Sequence, residues 1–170
     1  MDIKLYREKV RLLADLRNGG AIFNGSCDHA AVIVENLFNA AKRHVRILSG
    51  DLDARVYGNQ RVVQRAVEFL GHSDHMLDVI IERNNLSPQH PFVSAVRDST
   101  NVSFFELRSE ISSETPYHFM TSDSDCYRFE EEKGSHKAIA VFGDPATQSL
   151  VNIHGRLIDF SAPIALSNLN

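Results

Sequence analysis

The sequence predicts an α/β domain, a mixed and mostly parallel sheet flanked by helices. Three observations predict it. Helical apolar spacing alternates with short β-branched runs through the first two-thirds of the chain, the pattern of strands joined by helical crossovers. The last third holds three strand-like runs separated by turn residues. A chain of 170 residues, 43% hydrophobic and 24% charged, has the size of one globular domain able to bury a core.

Leu5, Val10, Leu12, Leu13 and Leu16 recur at helical spacing, and Gly19-Gly20 can end that helix in left-handed backbone angles. Ser26 or Asp28 can cap a second helix running from Ala30 to Ala41, because their oxygens accept from first-turn amides. A short strand, His44 to Ser49, follows. Asn59 can cap a helix over Gln60 to Leu70, with Val62, Val63, Ala66, Val67 and Leu70 on one face and Gly71 as its stop. The run Met76 to Glu82 is apolar and β-branched, as a strand covered on both faces requires. Helix and strand return at Pro91 to Asp98 and Val102 to Arg108.

Tyr117 to Thr121, Cys126 to Glu130 and Lys137 to Phe142 read as three strands joined through SDSD and EEKGSH turns. Asp144-Pro145 reads as the N-cap and first position of a last helix through Leu150, Ile153, Leu157 and Ile158, which the Pro163 region ends. SNLN is then a loose tail. Residues 1–25 form an N-terminal helix and linker, and residues 26–165 the domain proper.

Composition excludes some functions. A net charge of −4 argues against binding driven by overall positive charge and leaves room only for a local basic patch. The N-terminus lacks the apolar core of a signal peptide, and no run is long enough to span a bilayer, so a cytoplasmic protein is expected. Cys27 and Cys126, the two cysteines, offer no disulfide framework and read as reduced and structural.

The stretch Tyr117 to Tyr127, YHFMTSDSDCY, places His118 and Asp125 with Met120 between them. This spacing resembles one half of the phospholipase D superfamily, whose motif is H-x-K-x-x-x-x-D followed by G-S-x-N. The resemblance implies a nucleophilic histidine, cationic and donor groups on the phosphoryl oxygens, and a second histidine from another half-site. Met120 stands where the motif has lysine, and methionine brings neither charge nor donor. Losing one such group commonly costs about 3 kcal/mol of transition-state stabilisation. Ala138 to Phe142 occupies the place of the downstream element without its serine and asparagine. A literal Gly134-Ser135-His136-Lys137 is read as a charged turn.

DLDARVYGNQRVVQRAVEFL (Asp51 to Leu70) and VFGDPATQSL (Val141 to Leu150) are also similar to elements of an uncharacterised bacterial family with a degenerate phospholipase D-like domain. That likeness covers about Ser26 to Phe160. It implies a single half-domain and a homodimer, and no activity.

The candidate site residues are therefore His118 and Asp125 for catalysis, and Asp53, Tyr57 and Arg128 for binding. Asp53 and Tyr57 lie in the loop after the first strand, where α/β sheets place ligands. The bland reading of each remains: Asp125 as a turn residue, and Asp53, Tyr57 and Asn59 as groups that fix the loop and cap the next helix. His72, Asp74 and His75 read as a solvated turn, Cys27-Asp28-His29 as a helix start, and Glu130-Glu131-Glu132 as a solvated hairpin end. No metal or cofactor is expected.

The expected function is a catalytically degenerate phospholipase D-like module, homodimeric, with a phosphate-bearing or nucleic-acid ligand. One alternative is a phosphodiesterase or nuclease using His118, with Arg128 or Lys137 replacing the absent lysine. Another is a structural subunit that offers an apolar face to a larger assembly.

Overall fold

A computed structural model of the chain describes residues 1–83 and 85–168. Its helices are α1 (Ile3–Leu16), α2 (Cys27–Ala40), α3 (Gln60–Leu70), α4 (Pro91–Val96), α5 (Ser109–Glu114) and α6 (Thr147–Ile158). The strands are β1 (Gly20–Asn24), β2 (His44–Ser49), β3 (Met76–Ile81), β4 (Val102–Leu107), β5 (His118–Ser122), β6 (Cys126–Glu130), β7 (Ala138–Phe142) and β8 (Ser161–Ile164). They form one sheet in the order β1-β7-β6-β5-β2-β3-β4-β8.

The sheet is mostly antiparallel, which corrects the expectation of a mostly parallel one. Parallel pairing is confined to β2–β3 and β3–β4; the other five pairings are antiparallel. Helical crossovers impose parallel pairing only on the strands they join, and the short β5–β6 and β6–β7 connections permit only antiparallel neighbours. The same hairpins carry the sheet outward from β2 through β5, so they outweigh the parallel core.

Helix and strand starts follow local chemistry. Ser26 Oγ accepts the His29 amide at 3.2 Å and Asn59 Oδ1 the Arg61 amide at 3.0 Å. The first helix ends at Arg17, itself left-handed at φ 44°, before Gly19 at φ 82°. Asp144 and Pro145 precede α6 by a turn, with Ala146 as its N-cap. Pro163 does not end that helix; it sits in β8, a sheet edge, where its missing N–H costs no ladder bond. Leu166–Asn168 form a 3₁₀ turn, and the last two residues of the expected tail lie outside the described residues. β1, β8 and α5 have no counterpart in the sequence reading.

Helices α1 to α4 cover one face of the sheet. Ala30 to Phe38 are all buried, so α2 runs as a core helix against the strands beneath α1 and α3. A smaller apolar cluster on the opposite face joins Leu48, Ile80, Leu107 and Phe119 to Leu157 of α6. In β5 the side chains alternate: Met120 enters the first core, Phe119 the second, and His118 shares the face of Met120.

Candidate phosphoryl-binding pocket

The carboxyl ends of β2 and β3, the start of β5 and the end of β6 meet at one end of the sheet, where α/β folds place ligands. A cavity of about 540 Å³ opens there. His118, Asp53, Tyr57 and Arg128 all line it, so four of the five residues singled out from sequence converge. Asp125 does not. It lies beyond the far end of β5, about 13 Å away at the usual rise per residue, and clasps Arg17 with contacts of 2.5 and 3.1 Å. Its backbone carbonyl accepts from Gly143 and Asp144, so it ties α1 to the β5–β6 and β7–α6 turns.

His118 is anchored by a residue that sequence reading passed over as the last of a buried strand. Its Nε2 lies 3.2 Å from Glu82 Oε2, and the other Glu82 oxygen accepts from Lys133 Nζ. Lys133 also donates to the Ser112 carbonyl at 2.8 Å. Burial pushes the Glu82 pKa up, but the hydrogen bonds and charges of His118 and Lys133 outweigh it and hold the carboxyl below its ordinary range. One carboxylate thus holds an imidazole and an ammonium side by side. Gly50 makes room for this: a Cβ there would meet Arg83 Nη2 at 3.2 Å and His118 Cε1 at 3.4 Å.

Met120 is 1% exposed and belongs to the core beneath, so no cation stands two residues after His118. The pocket's cations come from elsewhere. Arg128, cross-strand from Met120, pairs with Glu130 at 3.0 Å. Both are buried, which corrects the reading of Glu130 as solvated hairpin end; Glu131 and Glu132 are exposed. Lys137 is exposed and does not line the cavity. Arg128 Nε is buried without a partner among the described residues, and an unmet buried donor costs about 1–3 kcal/mol. Tyr57 is buried beside this pair, and burial pushes its pKa up to about 12, against the pull of Arg128.

At the rim, Arg55 pairs with Asp53 at 2.6 Å, and Arg83 with Asp51 at 3.2 Å. The Arg55 hydrogen bond, opposed by burial and aided by His136, holds the Asp53 carboxyl below its ordinary range. Gly134 and His136, within the turn dismissed from sequence, also line the cavity. Four cations therefore face four carboxylates: Arg55 with Asp53, Arg83 with Asp51, Lys133 with Glu82 and Arg128 with Glu130. The position of Glu82, a charge at the carboxyl end of a parallel strand, was the readable signal for it. Lys133 carried none.

A family model described as "Domain of unknown function (DUF7931)" matches residues 26–152. No curated protein sequence matches the chain. Among solved structures, Nuc from Salmonella typhimurium, a phospholipase D family member, is similar with a TM-score of 0.62 and 11% identity, covering 86% of this chain and 99% of that one. NucT from Helicobacter pylori gives 0.60, 9%, 86% and 99%. TrmBL2, an archaeal chromatin protein whose structure shows a novel mode of DNA binding, gives 0.65 and 8%; 95% of this chain is covered, and it spans 61% of the TrmBL2 chain. At these identities the likeness is one of fold, and the fold is phospholipase D-like.

Proposed function

The chain belongs to the DUF7931 family of unknown function, and from that premise we propose that it is a phosphate-ester-binding module of phospholipase D-like fold whose hydrolytic equipment is incomplete. The observation that carries this reading is the chain His118–Glu82–Lys133, which brings an imidazole and an ammonium to one wall of the cavity. A phosphoryl group there takes donors from His118 and Lys133 and the unmet Arg128 Nε–H. Tyr57 and Asp53 contact the remainder of the ligand. Asp125 serves as an anchor of the hairpin.

Charge balance supports binding without efficient turnover. A phosphoryl transition state needs cations aimed at its oxygens, and each cation of this pocket is already held by a carboxylate. Met120 in the core removes one more. The second half-site of a complete enzyme is assigned to another copy of the chain; Nuc and NucT, matched over 99% of their chains, are likewise one such unit in length. The fold likeness to a DNA-binding chromatin protein makes nucleic acid the first ligand to try.

A second reading has its own observation. Glu82 orients His118 as a nucleophile requires, and Lys133 supplies from a turn the cation that Met120 lacks, which would give a phosphodiesterase. Incubation with bis(p-nitrophenyl) phosphate in EDTA separates the two. The module reading expects no turnover above buffer, with saturable binding of a short single-stranded oligonucleotide that His118→Ala weakens. Turnover abolished by His118→Ala establishes the enzyme; neither turnover nor binding refutes both.

A further inference from the structure

On the rim of the cavity, three chemically different metal ligands from separate segments meet. Cys27 is the first residue of α2, Asp53 lies between β2 and α3, and His136 lies in the β6–β7 turn. Their Sγ, carboxylate and imidazole ligand atoms all fall within 4.8 Å of one another, and all three residues are half-buried. In a tetrahedral zinc site, bonds of about 2.0–2.3 Å separate neighbouring ligand atoms by about 3–4 Å, so only small side-chain adjustments are needed to close around one ion.

A cationic group already sits at this focus. Arg55 Nη2 lies 2.6 Å from Asp53 Oδ2 and 3.2 Å from His136 Nε2. Its side chain is 68% exposed, so it can swing into water at little cost, whereas the ligands are mounted firmly. The Asp53 carbonyl accepts from the Val56 and Tyr57 amides at 2.9 Å. The His136 amide donates to Glu130, and its carbonyl accepts from Asn24.

We propose that Cys27, Asp53 and His136 form a three-ligand site for a thiophilic divalent cation of the zinc class, with Arg55 as a displaceable occupant. Sulfur and imidazole select such ions over magnesium and calcium, which take oxygen ligands. Three protein ligands leave a fourth position for water or a ligand oxygen. The ion ties the start of α2, the β2–α3 loop and the β6–β7 turn together across the rim. This site shares Asp53 and His136 with the cavity wall but uses none of His118, Glu82 and Lys133, and its test uses no phosphate.

The test is titration of the reduced, metal-stripped full chain with Co²⁺, following the thiolate-to-cobalt charge-transfer band. The wild type binds one ion with that band; Cys27→Ser and His136→Ala each weaken binding about ten-fold or more, Cys126→Ser leaves it unchanged, and Arg55→Ala tightens it. Circular dichroism checks that each variant is folded. No charge-transfer band in either the wild type or Arg55→Ala overturns the proposal, as does a band that survives Cys27→Ser. Weaker binding in Arg55→Ala overturns the role given to Arg55.

Discussion

Replacing Arg128 with methionine separates the structural use of the pocket from its ligand-binding use. Arg128 and Glu130 are 6% and 5% exposed and joined at 3.0 Å. Removing the guanidinium leaves a buried carboxylate with no counter-charge, and breaking a buried pair this way costs about 3–5 kcal/mol. That is a large share of a typical total of about 5–15 kcal/mol. With a urea slope of about 2 kcal/mol/M, the midpoint falls by about 2 M. Adding Glu130→Gln removes the stranded charge and keeps an acceptor for the His136 amide, which Glu130 Oε1 now receives at 3.2 Å. The double variant should recover all but about 1 kcal/mol. If the arginine is there for a phosphoryl ligand, oligonucleotide affinity stays down by about ten-fold or more although stability has returned. Urea denaturation and calorimetric titration on the same samples read both. A single-variant loss below about 1 kcal/mol, or full ligand affinity in the double variant, refutes the reasoning.

Lys133→Met removes the ammonium from Glu82, and ligand affinity should fall about ten-fold, with Lys137→Met, outside the cavity, as an unaffected control. His154 is fully buried, and burial pushes its pKa down to about 4. The unfolded chain takes up that proton near pH 6.5 and the folded chain only near 4, so its stability contribution is complete above about pH 6.5. It is lost at about 1.4 kcal/mol per pH unit on acidification; urea midpoints for His154→Leu should show a flatter fall over that window. Asp123 accepts the amides of Lys42, Arg43 and His44 at 2.8 to 3.0 Å. Asp123→Ala should cost about 2 kcal/mol in chemical denaturation without altering ligand affinity. Gly50→Val should crowd the His118 ring and Arg83 and weaken binding more than stability, as parallel titration and melting would show.

Much of the architecture was legible because it rests on local rules. β2, α3 and β6 fall at their expected bounds, set respectively by a run holding Val45 and Ile47, by the Asn59 cap with Gly71, and by the turns that flank CYRFE. β1 and β8 were not legible: GAIFN and SAPI are short edge segments whose strand character comes from partners distant in sequence, β7 and β4. Parallel or antiparallel pairing was hidden for the same reason. In the site, the loop after β2 and the strand holding His118 announced themselves by position and spacing. Glu82 gave only its position at a strand end, and Lys133 gave nothing, because 51 residues separate them and only the fold brings them together. Glu130 was misread since a run of three glutamates looks solvated, while strand alternation turns the first of them inward beside Arg128.

The most direct test of the central claim is one NMR titration, following the His118 ring nitrogens and the ³¹P signal together while a dinucleotide is added in EDTA. Binding without efficient turnover predicts a saturable shift of the His118 resonances and a phosphodiester signal that stays intact. An unmoved His118 would contradict phosphoryl binding in this pocket, and a growing phosphomonoester signal would contradict the incomplete hydrolytic equipment.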